Sequence, residues 1–328
     1  MGEIIKPAKL KSGDTVGIIS PSSPLSSKRR LVKGMNVLRS LGFKPVLSQS
    51  ALKAQSPHQA GSLEERLLDF HTMFSDKEIK AIFCVTGGYI SLQLLEFIDW
   101  NIIRKNPKVF VGYSDITVLL NAIYSKTGLI TFHGPMIEWL DRGDTRSGRY
   151  IIRNLKNVLM RGVTGKILPF TEWRVMKPGK AVGNLVGGNF NSFESLLGTR
   201  YLPKYEGKIL FIEEVDETIE GLDNYFWRLR LSGVYEKIQG LIIGKITNIQ
   251  DFDDEVDGRN RKKIRSGISP TQEEIILQAT KGFDFPIMYD VDFGHDVASM
   301  TLPVGGRVRM ECPGREKVGS FSIVKNYL

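Results

Sequence analysis

The feature that most constrains the fold of this chain is an alternation, through its first half, of short β-rich runs with helical patterns of apolar residues. Residues 14–20 (DTVGIIS) read as a buried strand that ends at a Pro-Ser-Ser-Pro turn. The same criteria predict further strands at 45–47, 81–85, 108–112 and 129–132, and helices at 31–41, 63–74, 91–98 and 116–124. Strands separated by helices predict a parallel α/β sheet.

The second half of the chain reads as a separate domain, since 328 residues exceed what one core usually organises. Periodicity fades in a stretch rich in glycine and proline, which divides the chain into a domain over 1–160, a link over 161–183 and a domain over 184–328. The predicted elements of the second domain are a turn and helix at 185–197, a strand at 208–213, a helix at 219–231, a strand at 240–246, a helix capped by Ser269, and short strands from Pro286 onward.

Composition predicts a soluble cytoplasmic protein. Hydrophobic residues make up 41% of the chain and charged residues 25%, which is typical of globular proteins. We find no signal peptide at the N-terminus and no apolar run long enough to cross a membrane. Two cysteines, Cys84 and Cys312, are too few for a disulfide framework, so we expect reduced thiols.

The net charge of +9 raises the question of a nucleic-acid partner. Its densest source is the segment Arg259 to Arg265, which contains no aromatic residue and directly follows an acidic run. Such a pattern is more typical of a solvated loop than of a nucleic-acid surface. We therefore expect no nucleic-acid partner, although the excess charge would attract anionic substrates.

Several familiar motifs are absent. No Gly-Lys pair is followed by Ser or Thr as a P-loop requires, and Ile264 occupies the glutamate position of the one segment that suggests a calcium loop. The pairing of SxxK at Ser50 with Lys-Thr-Gly at 126–128 lacks the Ser-Asp-Asn of penicillin-binding enzymes. Four scattered histidines do not predict a zinc site, so we expect neither a metal nor a cofactor.

One serine lies where a nucleophile would be exposed. Residues 109–113 form a buried strand that runs into Ser114, and a helix follows. At such a turn the hydroxyl lies at the sheet edge, and the backbone amide of Asp115 would be free to stabilise an oxyanion. From these residues alone, a helix N-cap is the simpler interpretation of Ser114 or Asp115.

An acid and a base follow other predicted strands. Glu213 ends the strand at 208–213, and Glu214 follows it directly. Alternation allows only one of the two side chains to point toward a given site. His295 follows a short strand, with His58, His71 and His133 as competing bases. Because α/β sheets keep their sites at the carboxyl ends of strands, a serine, a histidine and a glutamate there suggest a catalytic triad.

Two rival interpretations fit the same residues. A non-catalytic two-domain ligand-binding protein would need Ser114 only as a cap. An α/β-hydrolase would share the chain order of serine, acid and histidine, but Ile116 stands where its Gly-x-Ser-x-Gly motif has the second glycine.

Six segments, taken together in chain order, are specific: GYSDIT at 112–117, TFHGP at 131–135, GGN at 187–189, LFIEE at 210–214, FGH at 293–295 and TLP at 301–303. Through them the chain resembles the LD-carboxypeptidase family of serine peptidases over nearly its whole length. The family implies an N-terminal flavodoxin-like sandwich, a C-terminal domain of mixed strands, and a homodimer.

The resemblance also implies roles for individual residues. It makes Ser114 the nucleophile, Glu213 rather than Glu214 the acid, and His295 the base. It further implies an oxyanion hole formed by the backbone amides of Gly88 and Asp115, and it makes His133 more structural than catalytic.

Two subgroups of the family imply different small-molecule or short-peptide substrates. Enzymes that trim D-alanine from peptidoglycan tetrapeptides carry Arg before the paired glycines and Gly after the tyrosine, whereas this chain reads TGGYI at 86–90. It is closer to the microcin C immunity peptidases, which cut an acidic amino acid from a sulfamoyl or phosphoramidate nucleotide. In those enzymes a loop aromatic stacks on the base. Trp173 is the candidate here, with interdomain packing as its alternative.

Overall fold

The structure is a computed structural model that describes residues 3–250, 269–295, 297–314, 317–325 and 327–328. The basic segment Arg259 to Arg265 lies outside the described residues. The strands are β1 (Thr15–Ile19), β2 (Lys44–Leu47), β3 (Ile79–Cys84), β4 (Val109–Gly112), β5 (Thr131–His133), β6 (Gly165–Lys166), β7 (Arg174–Lys177), β8 (Gly179–Asn189), β9 (Lys208–Val215), β10 (Gly240–Thr247), β11 (Ile287–Tyr289), β12 (Leu302–Val304), β13 (Arg307–Cys312) and β14 (Ser320–Ile323). The helices are α1 (Lys28–Ser40), α2 (Leu63–Ser75), α3 (Trp100–Lys105), α4 (Thr117–Thr127), α5 (Arg146–Leu155), α6 (Phe190–Glu194), α7 (Ile219–Leu231) and α8 (Gln272–Ala279).

The first sheet has the strand order β12-β5-β4-β3-β1-β2. Strands β1 to β5 are parallel, and β12 is antiparallel to β5 at the edge. The order 2-1-3-4-5 of the parallel strands is that of flavodoxin-like sheets, as the family resemblance implied. Every residue of β4 is buried, as expected of a central strand covered by helices on both faces.

The second sheet has eight strands in the order β6-β14-β13-β8-β9-β10-β11-β7. Strands β8 to β11 are parallel, and β7, β13, β14 and β6 pair antiparallel. This mixed sheet confirms the predicted C-terminal domain rich in short strands. The stretch 161–183, predicted as a link, contains β6, β7 and the start of β8, so its ordered strands belong to this sheet. The boundaries at 160 and 184 stay predictions.

Some predicted elements are wrong in the structure. The helix expected at 185–197 is the end of β8 followed by the short α6. Gly187 and Gly188 have φ angles of 128° and 140°, and a Cβ atom on Gly187 would lie 1.9 Å from the Phe211 carbonyl oxygen. Only glycine allows β8 to approach β9 this closely.

Two predicted helix features also differ. The predicted helix at 91–98 contains only one 3₁₀ turn, Ser91–Leu94. The N-cap of α8 is Thr271, not Ser269, because the Thr271 side chain accepts from the Glu274 amide while the Glu274 carboxylate accepts from the Thr271 amide.

Within the described part of the chain, no helix is long and apolar enough to cross a membrane. The same residues include no group of three or more histidine, cysteine or acidic side chains that could hold a metal ion. Cys84 and Cys312 are both buried free thiols.

Candidate active site

Ser114 lies at a sharp turn between β4 and α4. Its φ angle of 58° is in the left-handed region, which residues with a Cβ atom seldom adopt. A Cβ atom on Gly87 would lie 2.8 Å from the Cβ atom of Ser114, so the paired glycines pack directly against the serine. A backbone strained in this way persists only where its surroundings fix it, which is common at catalytic residues.

Glu213 and His295 form the hydrogen-bonded pair that the sequence suggested. Glu213 lies on β9 and is completely buried, and its Oε2 atom is 2.8 Å from Nδ1 of His295. His295 follows Gly294, whose φ angle of 134° requires glycine, and the ring of Tyr113 lies 4.9 Å from the histidine ring. The acid therefore engages Nδ1 of the imidazole, as in a serine triad.

Glu214 has different partners from its neighbour. Its carboxylate accepts hydrogen bonds from the Asn189 side chain at 2.9 Å and from the backbone amides of Asn191 and Val215 at 2.8 and 2.9 Å. Burial raises the pKa of Glu214 to about 7. Of the two acids that the sequence left open, the structure pairs Glu213 with the histidine and makes Glu214 a support for the cleft wall.

Ser114 and His295 line one cleft of about 280 Å³. The residues implied for the oxyanion hole, Gly88 and Asp115, line the same cleft. Gly88 has a φ angle of 143°, and a Cβ atom there would lie 2.3 Å from Oγ of Ser23. Four of the five residues predicted for catalysis therefore surround one space, and Glu213 supports it from behind His295.

The carboxylate of Asp115 ties the loops of this cleft together, a role that sequence reasoning missed. Its Oδ2 atom accepts from Oγ of Ser22 at 2.5 Å and from the amide of Ser91 at 2.9 Å. Oγ of Ser22 in turn accepts from the amide of Ile90. Burial is the main cause of the raised pKa of Asp115. The carboxylate therefore links the loop after β1 and the Gly88 loop to the turn at Ser114.

Trp173 lies outside this cleft. It is 1% exposed, and its indole N–H donates to Asp292 at 2.8 Å. The same carboxylate accepts from the amides of Phe170 and Thr171. Its burial and its hydrogen bond to Asp292 favour the packing alternative over a stacking role. The exposed aromatic side chain of the cleft is Tyr89, which is 85% exposed and follows Gly88 directly.

His133, a competing base in the sequence, is completely buried. Burial lowers its pKa to about 4, and its ring packs against Tyr113, Phe211 and Phe293 at 5.4 to 5.9 Å. It lies behind the cleft, next to the residues that flank Glu213 and His295.

The fold and the cleft are those of a serine-type hydrolase. Residues 16–134 match the LD-carboxypeptidase N-terminal domain and residues 182–310 match the LD-carboxypeptidase C-terminal domain. The chain belongs to the LD-carboxypeptidase family, which confirms the resemblance seen in the sequence.

Curated relatives and solved structures extend over nearly the whole chain. The probable murein peptide carboxypeptidase of Bacillus subtilis is 36% identical over 308 residues, covering 93% of this chain and 91% of that protein. The microcin C7 self-immunity protein MccF of Escherichia coli is 29% identical over 354 residues, covering 98% and 96%. A structure of MccF in complex with glutamyl sulfamoyl guanosine matches with a TM-score of 0.86 at 28% identity, covering 98% of this chain and 99% of that one.

Proposed function

We propose that this protein is an amide hydrolase in which Ser114, His295 and Glu213 act as nucleophile, general base and orienting acid. The observation that carries the proposal is the 2.8 Å contact between His295 and the buried Glu213, with His295 and Ser114 lining the same cleft. The strained turn at Ser114 and the glycine conformation at Gly88 support it.

The chemistry follows the order of a serine triad. Oγ of Ser114 attacks the scissile carbonyl carbon while Nε2 of His295 takes the hydroxyl proton, and Glu213 stabilises the imidazolium that forms. The backbone amides of Gly88 and Asp115 hold the oxyanion, each contributing about 3–4 kcal/mol in comparable sites. His295 returns the proton to the leaving nitrogen as the C–N bond breaks, and water then hydrolyses the acyl-enzyme by the same steps.

For the substrate, we propose an aminoacyl nucleotide of the sulfamoyl or phosphoramidate type, cleaved as in microcin C immunity. The likeness to MccF over nearly the whole chain supports this choice. The cleft adds a feature of its own, since Tyr89 and Leu92 at its mouth are 85% and 39% exposed. Stacking of a base on an aromatic ring contributes about 1–3 kcal/mol, so an exposed tyrosine beside the nucleophile fits a planar leaving group.

A second candidate, L,D-carboxypeptidase action on a murein tetrapeptide, is favoured by the likeness to a probable murein peptide carboxypeptidase. Asp216 and Glu217 line the cleft, and no lysine or arginine lines it among the described residues. Such a wall attracts the free amine that the acyl residue of either candidate substrate carries, so its charge does not choose between them. The 36% identity to a probable murein peptide carboxypeptidase supports the second candidate.

A parallel hydrolysis assay separates the two candidates. Purified protein is given aspartyl- or glutamyl-sulfamoyl adenosine in one reaction and an L,D-tetrapeptide in the other. Cleavage of the adenylate alone supports the immunity-type substrate, and release of D-alanine alone supports the murein peptide. A Ser114→Ala variant that retains full activity on either compound would show that Ser114 is not the nucleophile.

Tyr89 gives the substrate test a second arm. If its ring stacks on the base, Tyr89→Ala raises KM for the sulfamoyl adenosine by about 5- to 100-fold and Tyr89→Phe leaves it near the wild-type value. KM for the tetrapeptide, which has no aromatic leaving group, stays unchanged in both variants. Equal effects on both substrates would contradict a stacking role.

We further propose that the protein acts in the cytoplasm as a homodimer, without nucleic-acid or membrane partners. Two buried free thiols fit a reducing compartment, and the family resemblance supports the dimer. Analytical ultracentrifugation of the purified protein tests the assembly, and a single monomeric species at micromolar concentration would contradict it.

A further inference from the structure

Two buried polar groups, one in the Glu213–His295 pair and one beside it, have no hydrogen-bond partner within the described part of the chain. They are the imidazole of His133, with both of its ring nitrogens, and the Oε1 atom of Glu213. Both residues are 0% exposed. Since nearly all buried polar groups in native proteins are hydrogen-bonded to protein or to ordered water, the two groups call for a common explanation.

The packing places the His133 ring close to both members of the pair. The ring lies 5.4 Å from the ring of Phe211, and Phe211 shares one face of β9 with Glu213, two residues further on. It also lies 5.9 Å from Phe293, which precedes the loop that carries His295. The unpartnered imidazole and the unpartnered carboxylate oxygen therefore belong to the same buried region.

Their chemistry is complementary. A buried, neutral imidazole has one N–H donor, and a carboxylate oxygen is an acceptor. The Oγ atom of Thr301 is a third buried group without a partner among the described residues, and a Cβ atom on Gly134, next to His133, would lie 3.2 Å from it. An internal water requires several polar groups within one buried region, as these are.

We propose that His133 is a positioning residue for Glu213. Its ring N–H donates to one buried water, and that water donates to Oε1 of Glu213. The water fixes the rotation of the carboxylate, so that Oε2 stays aligned with Nδ1 of His295. His133 touches neither substrate nor Ser114 in this arrangement and acts only through Glu213. The inference rests on the proposed function, because it assigns the same pair to proton transfer.

Two substitutions at His133 separate hydrogen bonding from packing. His133→Phe keeps an aromatic ring against Phe211 and Phe293 but removes the N–H donor. His133→Gln keeps an N–H donor but loses the ring. We expect kcat of His133→Phe to fall about 10- to 100-fold with KM within about twofold, as for loss of a hydrogen bond to a charged group, and His133→Gln to retain more activity than His133→Phe.

The pH profile and a covalent probe complete the test. Without the donor, the charge of Glu213 stabilises the His295 imidazolium more strongly, so the acid limb of kcat/KM moves to higher pH in His133→Phe. The rate at which a fluorophosphonate labels Ser114 falls in parallel. The matched control is His71→Phe. His71 lies on α2, and its Nε2 atom accepts from the Asp99 amide. This variant leaves both readouts unchanged.

The outcomes are distinct from those of the substrate assay. Labelling of wild-type Ser114 without hydrolysis of either substrate would overturn the proposed substrates, and the labelling rate would still report on His133. Wild-type turnover in His133→Phe, or a fall in kcat with an unmoved acid limb, would assign His133 to packing alone. Melting temperatures of all variants show whether each has folded.

Discussion

Ser114 has a backbone conformation that its own side chain disfavours. At a φ angle of 58° any residue with a Cβ atom is strained by about 1–2 kcal/mol relative to glycine. A turn that needed only a helix cap would not require this conformation. The strain is explained if the turn serves to present Oγ at the edge of the sheet, as in other serine hydrolases.

Two substitutions at Ser114 separate strain from chemistry. Ser114→Gly and Ser114→Ala should both lower kcat by several orders of magnitude, up to roughly a million-fold in comparable triads. Ser114→Gly should nevertheless have a free energy of unfolding about 1–2 kcal/mol higher than Ser114→Ala, because only glycine adopts the turn without strain. Urea denaturation measures the difference, and equal stabilities would contradict the strain.

The buried carboxylate of Glu214 makes stability depend on pH. Burial raises its pKa to about 7, whereas an unfolded chain has a glutamate pKa of about 4.3. The stabilising contribution of the protonated form is complete below about pH 4.3 and is lost as pH rises through about 7. Glu214→Gln cannot ionise, so its free energy of unfolding should fall less between pH 5 and pH 8 than that of the wild type.

Urea midpoints at several pH values test this expectation. The slope should not vanish in Glu214→Gln, since burial also raises the pKa of Glu194 to about 7. An identical slope in wild type and variant would show that Glu214 does not titrate in this range.

At the scale of elements, β8 requires glycine where it meets β9. Gly187 has a φ angle of 128°, and a Cβ atom there would lie 1.9 Å from the carbonyl oxygen of Phe211 on β9. Gly187→Ala should therefore destabilise the protein by about 3 kcal/mol or more, through strain and overpacking together. Because β9 also carries Glu213, the Gly187→Ala substitution should lower kcat as well as stability.

Gly198→Ala is the matched control for this substitution. Gly198 has a φ angle of 77°, but a Cβ atom there would meet nothing within 4 Å. Gly198→Ala should lower the free energy of unfolding only by the conformational strain, about 1–2 kcal/mol, and leave kcat unchanged. If both variants unfold at the same urea concentration, the close approach of β8 and β9 is not what requires glycine.

The first sheet could be predicted from sequence because its signal is local. Each of its parallel strands is an apolar run beside a helical pattern, and the structure places all five within a few residues of the expected positions. The turn and helix predicted at 185–197 were wrong because no local pattern indicates that Gly187 and Gly188 lie against Phe211 and Thr117. That constraint comes from tertiary contacts.

The positions of the candidate residues could be predicted for a similar reason, whereas their roles came from the family resemblance. Ser114, Glu213 and His295 each follow the core of a predicted strand, and carboxyl ends of strands meet at one edge of a sheet. The environment of Trp173 was not predictable, since its burial depends on Asp292, which lies far along the chain. The carboxylate of Asp115 was missed because its partners, Ser22 and Ser91, come from two separate loops.

At the scale of the whole molecule, the proposed triad is divided between two sheets. Ser114 follows a strand of the first sheet, while Glu213 and His295 belong to the second half of the chain. Helix α4 joins them, because the side chain of Asn121 donates to the carbonyl of Gly187 at 2.8 Å and accepts from its amide at 3.1 Å. The orientation of Ser114 toward His295 therefore depends on this contact between α4 and β8.

Asn121→Ala tests that dependence. It would leave the buried amide and carbonyl of Gly187 without these partners, so the free energy of unfolding should fall by about 2–5 kcal/mol. In the wild type we expect tryptophan fluorescence and hydrolytic activity to be lost at the same urea concentration, as one cooperative transition. In Asn121→Ala activity should be lost first, because the two halves of the triad separate before either sheet unfolds.

Asn154→Ala provides the comparison for a buried asparagine without this bridging role. Asn154 is 8% exposed, and its side chain donates to the Tyr150 carbonyl within α5. It should lower stability while keeping the loss of activity and the loss of fluorescence coincident. If activity and fluorescence were lost in separate transitions in the wild type itself, the contact between the sheets would not be rigid. That result would also contradict the role of α4 in holding Ser114 in position relative to His295.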